Sequence, residues 1–113
     1  MENGTISFAD FMKVEMRIGR IVEASIFKEA RKPAYVLHVD FGELGIKKTS
    51  AQITDHYSPE ELVGRQVVAV TNFPPKQIGP IMSEVLVLGA VQSDGKVVLL
   101  GPERDVDEGL RIA

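Results

Sequence analysis

Between Val67 and Leu88 the chain reads VVAVTNFPPKQIGPIMSEVLVL. Two apolar runs, Val67 to Asn72 and Val85 to Leu88, enclose a segment punctuated by Pro74, Pro75, Gly79 and Pro80. Proline fixes its own φ and has no amide to donate, so Pro74 and Pro75 end the first run as a strand and stiffen the residues after it. The enclosed segment reads as a rigid loop that holds Asn72, Lys76, Gln77, Ser83 and Glu84 between two buried strands. Such a loop suits contact with a ligand better than enclosure of a reaction.

Strand and turn signals alternate through the rest of the chain. Arg17 to Phe27 is β-like, with Ile18, Val22, Ala24 and Ile26 on one parity, Arg20 breaking the stripe and Gly19 marking a bulge or bend. Lys28 to Pro33 is a charged connector. Ala34 to Phe41 alternates cleanly, with Tyr35, Leu37, Val39 and Phe41 on one face and Ala34, Val36, His38 and Asp40 on the other. Gly42 and Gly45 bound a turn before Ile46 to Ala51, a third strand carrying Lys47 and Lys48. Asp94-Gly95 is a tight hairpin signal between Val85–Val91 and Val97–Leu100. The tail from Pro102 is acidic and ends on the apolar pair Leu110 and Ile112.

Two short helices complete the pattern. Ser7 and Asp10 form a capping-box arrangement, and Phe8, Phe11 and Met12 then share one face. That face either lids the chain's own core or packs on a second subunit. Ser58-Pro59-Glu60-Glu61 starts a second helix, with a capping serine, proline at the first turn and acids at the positive dipole end, and Gly64 stops it. The expectation is an all-β, five-stranded closed barrel of the OB type. It has short helices at the N-terminus and between strands three and four, a C-terminal β extension, and one domain over residues 1–113.

Charge decides where a ligand would sit. Net charge is −3, which argues against a simple nucleic-acid binder. Yet residues 17–76 carry +2, while the acid lies in residues 1–16 and 77–113. An anionic partner responds to the local field. In an OB barrel the ligand surface is the second and third strands with the loops joining strands one–two and four–five. Lys28, Arg31 and Lys32 fall in the first loop, Lys47 and Lys48 on the third strand, and Lys76 in the other loop. Neighbouring strand residues point to opposite faces, so Lys47 and Lys48 cannot both face a groove.

Other classes find less support. Gly-rich phosphate loops, nucleophile elbows and His/Cys/carboxylate clusters are absent, so no enzyme, metal or cofactor is expected. His38 and His56 stand without metal-ligand neighbours in the sequence. With no cysteine, no apolar run near the ~20 residues of a membrane span and no secretory signal in MENGTISFAD, membrane insertion is not expected and the expected location is cytoplasmic. Phe73 and Tyr35 could stack a base, but core packing is the expectation for both.

The segments Arg17-Ile-Gly-Arg-Ile-Val-Glu, Ala34-Tyr-Val-Leu-His-Val-Asp-Phe-Gly, Ile46-Lys-Lys-Thr-Ser-Ala-Gln-Ile, Glu61-Leu-Val-Gly, Val70-Thr-Asn-Phe-Pro-Pro and Ser83-Glu-Val-Leu-Val-Leu-Gly lie in that order. Together they resemble the EMAP-type tRNA-binding domain family, over about residues 8–113. Members are appendages of methionyl- and other tRNA synthetases or free-standing dimers. The likeness is greatest to a free-standing homodimeric branch described as a secretion-related chaperone. The resemblance implies binding of tRNA or other structured RNA by Asn72, Lys76 and Ser83, supported by Lys28, Arg31 and Lys47 or Lys48. It also implies a homodimer using the N-terminal helix, which fits Phe8, Phe11 and Met12, together with the C-terminal extension.

One position departs from the family pattern. RNA-binding members typically carry Ser-Gln-Gly-Met where this chain has Ser83-Glu84-Val85-Leu86. The Glu84 carboxylate puts negative charge beside the implied phosphate path and favours a second reading. In it, unfolded or precursor polypeptide is bound on the apolar loop residues Phe73, Ile78, Ile81 and Met82.

Overall fold

The computed structural model describes residues 2–113. In chain order the strands are β1 (Met16–Ile26), β2 (Tyr35–Asp40), β3 (Ile46–Ala51), β4 (Gln66–Val70), β5 (Lys76–Ile78), β6 (Ile81–Ser83), β7 (Leu86–Val87), β8 (Gly89–Val91) and β9 (Val97–Leu99). Helices α1 (Phe8–Met12) and α2 (Pro59–Leu62) precede β1 and β4. The main sheet has the order β3-β2-β1-β4-β7, antiparallel throughout. It is a nearly closed five-stranded barrel of the OB type.

The long strand β1 organises the sheet. Its first half pairs with β4 and its second half with β2. The register slips between Ile21 and Glu23, a bulge that switches which parity points inward. The buried residue is therefore Ile21, at 0% exposure, while Val22 is 41% exposed. The expected single stripe Ile18–Val22–Ala24–Ile26 does not hold, because it assumes an unbroken period of two. Gly19 has a different role from the one expected. A Cβ there would lie 2.5 Å from Val39 Cγ1 and 2.6 Å from Phe41 Cε1, so its missing side chain lets β2's apolar face close on β1.

That β2 face is the expected one: Tyr35, Leu37, Val39 and Phe41 are all buried. Ile21, Leu62, Val67, Ala69 and Val85 join them in the barrel core. Helix α2 starts on the expected cap, Ser58, which forms a capping box with Glu61, and inserts Leu62 into the core. Helix α1 also has its capping box, Ser7 with Asp10, but buries none of its residues. It does not lid the core.

The barrel closes between β3 and the segment from Glu84 to Leu86 mainly through individual bonds. Glu84 N–H donates to the Lys48 carbonyl at 2.8 Å, and the Glu84 carboxylate accepts the Lys48 N–H at 2.9 Å. Beside them the buried Thr49 hydroxyl donates to the Val85 carbonyl at 2.7 Å.

Two expectations are corrected by the strand pairing. The segment from Pro74 to Ser83 is not all loop, since β5 and β6 form a hairpin that turns at Gly79-Pro80, with Gly79 at φ +53°. The strand expected over Val85–Val91 breaks at Leu88. Its N–H goes to Val68 and its carbonyl accepts from Leu100, so β7 stays on β4 while β8 swings out to pair with β9. The hairpin at Asp94-Gly95 forms as expected.

The acidic tail lies along β1. Gly109 N–H donates to Ile18, and Ile18 N–H to Leu110. Ile112 N–H donates to Met16. The tail brings carboxylates to Arg20, whose guanidinium meets Asp105 at 2.8 Å and Glu108 at 3.0 Å. Hydrogen bonding to Asp105, and then to Glu108, holds the Arg20 guanidinium above its ordinary value. The charge that interrupts the apolar stripe is thus an anchor for the tail.

Candidate nucleic-acid interface

The two loops of interest meet in space. The turn of the β5–β6 hairpin rests on the connector after β1, so that a Cβ on Gly79 would lie 3.5 Å from the Phe27 ring and 3.9 Å from Glu29 Cβ. Phe27 is buried and anchors the connector. Phe27, Glu29 and Gly79 line a cavity of about 410 Å³, and a second of the same volume adjoins it. Both cavities are lined by Ser50 and Ile78, so together they form one trough divided by those side chains. Arg31 borders one half and Lys76 the other.

Strand parity separates the two β3 lysines, neither of which lines the cavities. Residues directly opposite across an antiparallel pair share a face. Ser50 pairs with Val36, and Lys48 pairs with His38, which in turn pairs with Glu23. These positions form the outer face of β1, β2 and β3, and His38 Nδ1 lies 3.6 Å from the Glu23 carboxylate. Lys47 pairs with Val39, whose side chain is fully buried, and so points the other way. Lys48, not Lys47, shares Ser50's face.

The cations here are unengaged. Among the described residues, no hydrogen bond or ion pair holds the side chain of Lys28, Arg31, Lys32, Lys47, Lys48 or Lys76. Other basic side chains are paired with acids elsewhere: Lys13 with Asp10, Arg17 with Glu15, Arg20 with the tail, and Arg104 with Glu103. The net negative charge therefore lies largely outside the trough. Glu29 and Glu84 are the carboxylates that line it.

The remaining candidates fall in several places. Lys28 lies on the connector with Arg31 and is exposed, but lines neither cavity. Ser83 lines the Lys76 half, its hydroxyl 3.0 Å from that of Thr49. Asn72 uses its side-chain amide to hold the N-terminal segment, accepting from Glu15 N–H at 3.0 Å and donating to the Lys13 carbonyl at 2.7 Å. The neighbouring Thr71 hydroxyl donates to the Glu15 carboxylate at 2.7 Å, which with Arg17 holds that carboxyl below its ordinary range. Asn72 and Thr71 thus latch the end of β4 to the segment between α1 and β1.

The aromatic and apolar candidates divide as well. Tyr35 is buried, with its hydroxyl donating to the Tyr57 carbonyl at 2.7 Å. Phe73 is 53% exposed and lines the trough, against the expectation of core packing, because the rigid Pro74-Pro75 pair carries the chain away from the barrel. Met82 is exposed, while Ile78 and Ile81 pair across the hairpin and are half-buried. Ser50 takes a position in the trough that the sequence reading does not assign it, and Glu84 lies beside Lys76 there, as the family departure implies. Ser50 was legible from its parity with Lys48. Glu84's partner lies on β3, too distant in sequence for any local pattern to announce.

A separate exposed face lies at the N-terminus. Phe8 is 72% exposed and Ile6 64%, and the Phe8 and Phe11 rings are 6.3 Å apart. Met12 is half-buried, and its carbonyl accepts from the Arg111 guanidinium at 2.7 Å, joining α1 to the tail. Among the described residues there is no cluster of three or more His, Cys, Asp or Glu able to hold a metal, and no helix long and apolar enough to cross a membrane.

Residues 16–111 match the family described as "Putative tRNA binding domain". The chain is 52% identical to the solved chaperone CsaA from Bacillus anthracis str. Ames, covering 97% of this chain and 100% of that one with a TM-score of 0.92. It is 51% identical to the CsaA chaperone protein from Picrophilus torridus, covering 96% and 100% with a TM-score of 0.90. It is also 42% identical over 108 residues to the methionine–tRNA ligase of Leptospira biflexa serovar Patoc, covering 96% of this chain. The chain spans only 16% of that ligase's length.

Proposed function

The chain belongs to the tRNA-binding domain family, and on that premise we propose that it is a non-catalytic, cytoplasmic protein that binds structured RNA, tRNA foremost, in the trough between the β1–β2 connector and the β5–β6 hairpin. The observation that carries this reading is the contact of Gly79 with Phe27 and Glu29, which brings the loops bearing Arg31 and Lys76 to one surface. Lys28, Lys32 and Lys48 extend the positive field around it. Unpaired ammonium and guanidinium groups meet phosphates without a desolvated partner to abandon first. Phosphate contacts fix position, and the RNA's shape selects the partner.

Titration of tRNA over a series of salt concentrations tests the proposal. Each phosphate neutralised releases counterions, so log K falls by roughly 0.7–0.9 per contact for each log unit of salt. Four or five contacts give an expected slope of about −3 to −4.5. Binding indifferent to salt would rule the reading out.

We also propose a homodimer through α1, because the helix buries no residue fully and presents Phe8 at 72% exposure, which leaves part of its apolar face to spare. Sedimentation is expected to show a dimer that Phe8→Ser, with Phe11 and Met12 intact, shifts to monomer. A monomer in the wild type would remove the idea. A second functional reading is capture of unfolded polypeptide on the trough's apolar wall and the β5–β6 hairpin beside it, supported by the exposure of Phe73 in the first and Met82 on the second. It requires that an unfolded polypeptide compete with tRNA, and that Phe73→Ser together with Met82→Ser abolish the competition.

A further inference from the structure

The Lys76 half of the trough has a composition that a phosphate path alone does not need. Its cavity of about 410 Å³ is walled by Phe73, Ile78 and Leu86, with Ser50, Lys76 and Glu84 as polar groups. Small-molecule sites span roughly 300–1,000 Å³, so this volume suits one nucleoside-sized group. Phe73 and Leu86 are 53% and 48% exposed, leaving ring and aliphatic surface available to a planar group. We propose that this cavity takes a single unstacked guanine base from the bound RNA, stacked on the apolar wall and read by the Glu84 carboxylate, with Lys76 on the adjoining phosphate. The inference rests on the RNA-binding reading above and adds to it a base-specific contact.

The choice of guanine comes from Glu84. Its carboxylate already accepts the Lys48 N–H at 2.9 Å, which fixes the side chain at the cavity edge without a partner cation. An ionised carboxylate is acceptor-only and has about four lone-pair sites, so capacity remains after that one bond. Guanine is the base whose Watson–Crick edge offers two adjacent donors, N1–H and N2–H, to a carboxylate. Adenine and cytosine each set an acceptor nitrogen beside their amino group, and uracil flanks its single N–H with two carbonyls. Those acceptors would meet the carboxylate lone pairs and be repelled. Single-stranded bases are recognised by stacking on side chains combined with hydrogen bonds to this edge. Glu84 therefore serves as a specificity-determining contact instead of an obstacle on the phosphate path.

The test uses the whole chain and three single-stranded ribo-oligomers, UUGUU, UUAUU and UUIUU, where I is inosine. Binding is followed by fluorescence anisotropy and by the amide NMR shifts of Phe73, Ser83 and Glu84. The guanine oligomer is expected to bind about 10- to 100-fold more tightly than the adenine one, with inosine between them because it lacks the N2 amino group. In Glu84→Gln the side-chain carbonyl can still accept the Lys48 N–H, so the fold should persist, while tRNA binding changes in strength with its slope against salt unaltered. The preference for guanine should vanish. Equal binding of all three oligomers by the wild type, with salt-dependent tRNA binding intact, overturns the base pocket alone. Loss of the salt dependence itself would instead take down the underlying groove reading. If an unfolded polypeptide, and no guanine oligomer, shifts the Phe73 and Glu84 amides, the cavity's occupant is peptide and the inference fails.

Discussion

Replacing Arg31 and Lys76 together with glutamate should weaken tRNA binding about 100- to 10,000-fold near 0.1 M salt. Hydrogen bonds to charged groups contribute about 1.5–3 kcal/mol each, and the loss of two corresponds to this range. The new carboxylates add repulsion on top of it. Neither side chain has a partner in the folded chain, so stability should stay within about 0.5 kcal/mol of the wild type. Folding and binding are therefore separable in this variant. Two cations remote from the trough supply the control. Lys96 lies in the turn between β8 and β9, and Arg104 in the tail is paired with Glu103. Their joint reversal makes the same change in net charge and should cost only a few-fold, through the long-range field. Equal losses from the two double variants would mean that overall charge, and not the trough, attracts the RNA.

Gly19→Ala carries the largest expected effect on stability for the smallest chemical change. One methyl group would have to fit 2.5 Å from Val39 and 2.6 Å from Phe41, both in the barrel core. Overpacking of this kind typically costs 1–3 kcal/mol, and with two contacts this short about 2–3 kcal/mol is expected. For a chain of this size that lowers Tm by roughly 8–12 °C. Gly45→Ala is the informative comparison. Gly45 has φ +86° and ψ −174°, a conformation essentially confined to glycine, and nothing within 4 Å of an added Cβ, so its cost is backbone strain alone, about 1–3 kcal/mol. A Gly19→Ala variant as stable as the wild type would mean that β1 and β2 are not packed as described.

Much of this arrangement was legible because its causes are local. Alternation alone selected Tyr35, Leu37, Val39 and Phe41 as β2's buried face. The α1 capping box came from the spacing of Ser7 and Asp10, the α2 start from Ser58-Pro59, and the β8–β9 hairpin from Asp94-Gly95. The failures have causes remote in sequence. The β1 bulge is set by simultaneous pairing with β2 and β4, and a period-two reading cannot anticipate it. The β5–β6 hairpin hides behind two prolines, which announce a stop but not a restart. Arg20 and Arg17 entered the positive balance of the central segment, although the fold pairs them with acids from the tail and from Glu15.

The site shows the same division. The trough's loops were identifiable once the barrel was recognised, since the fold dictates which connections lie side by side. The separation of Lys48 from Lys47 needed only parity, but choosing between them required knowing that Val39 faces inward. Glu84 was legible as a departure from the family pattern, while its bond to the Lys48 amide, and hence its part in closing the barrel, was not.

The central claim is that Arg31 and Lys76 themselves meet RNA phosphates in a common trough, and the salt dependence of tRNA binding by their double-glutamate variant tests it most directly. Each lost phosphate contact should make the slope of log K against log salt shallower by about 0.7–1. A slope shallower than the wild type's by about 1.5–2 is the expected result. Weaker binding with an unchanged slope would contradict it, because the same number of counterions would then be released without these two side chains.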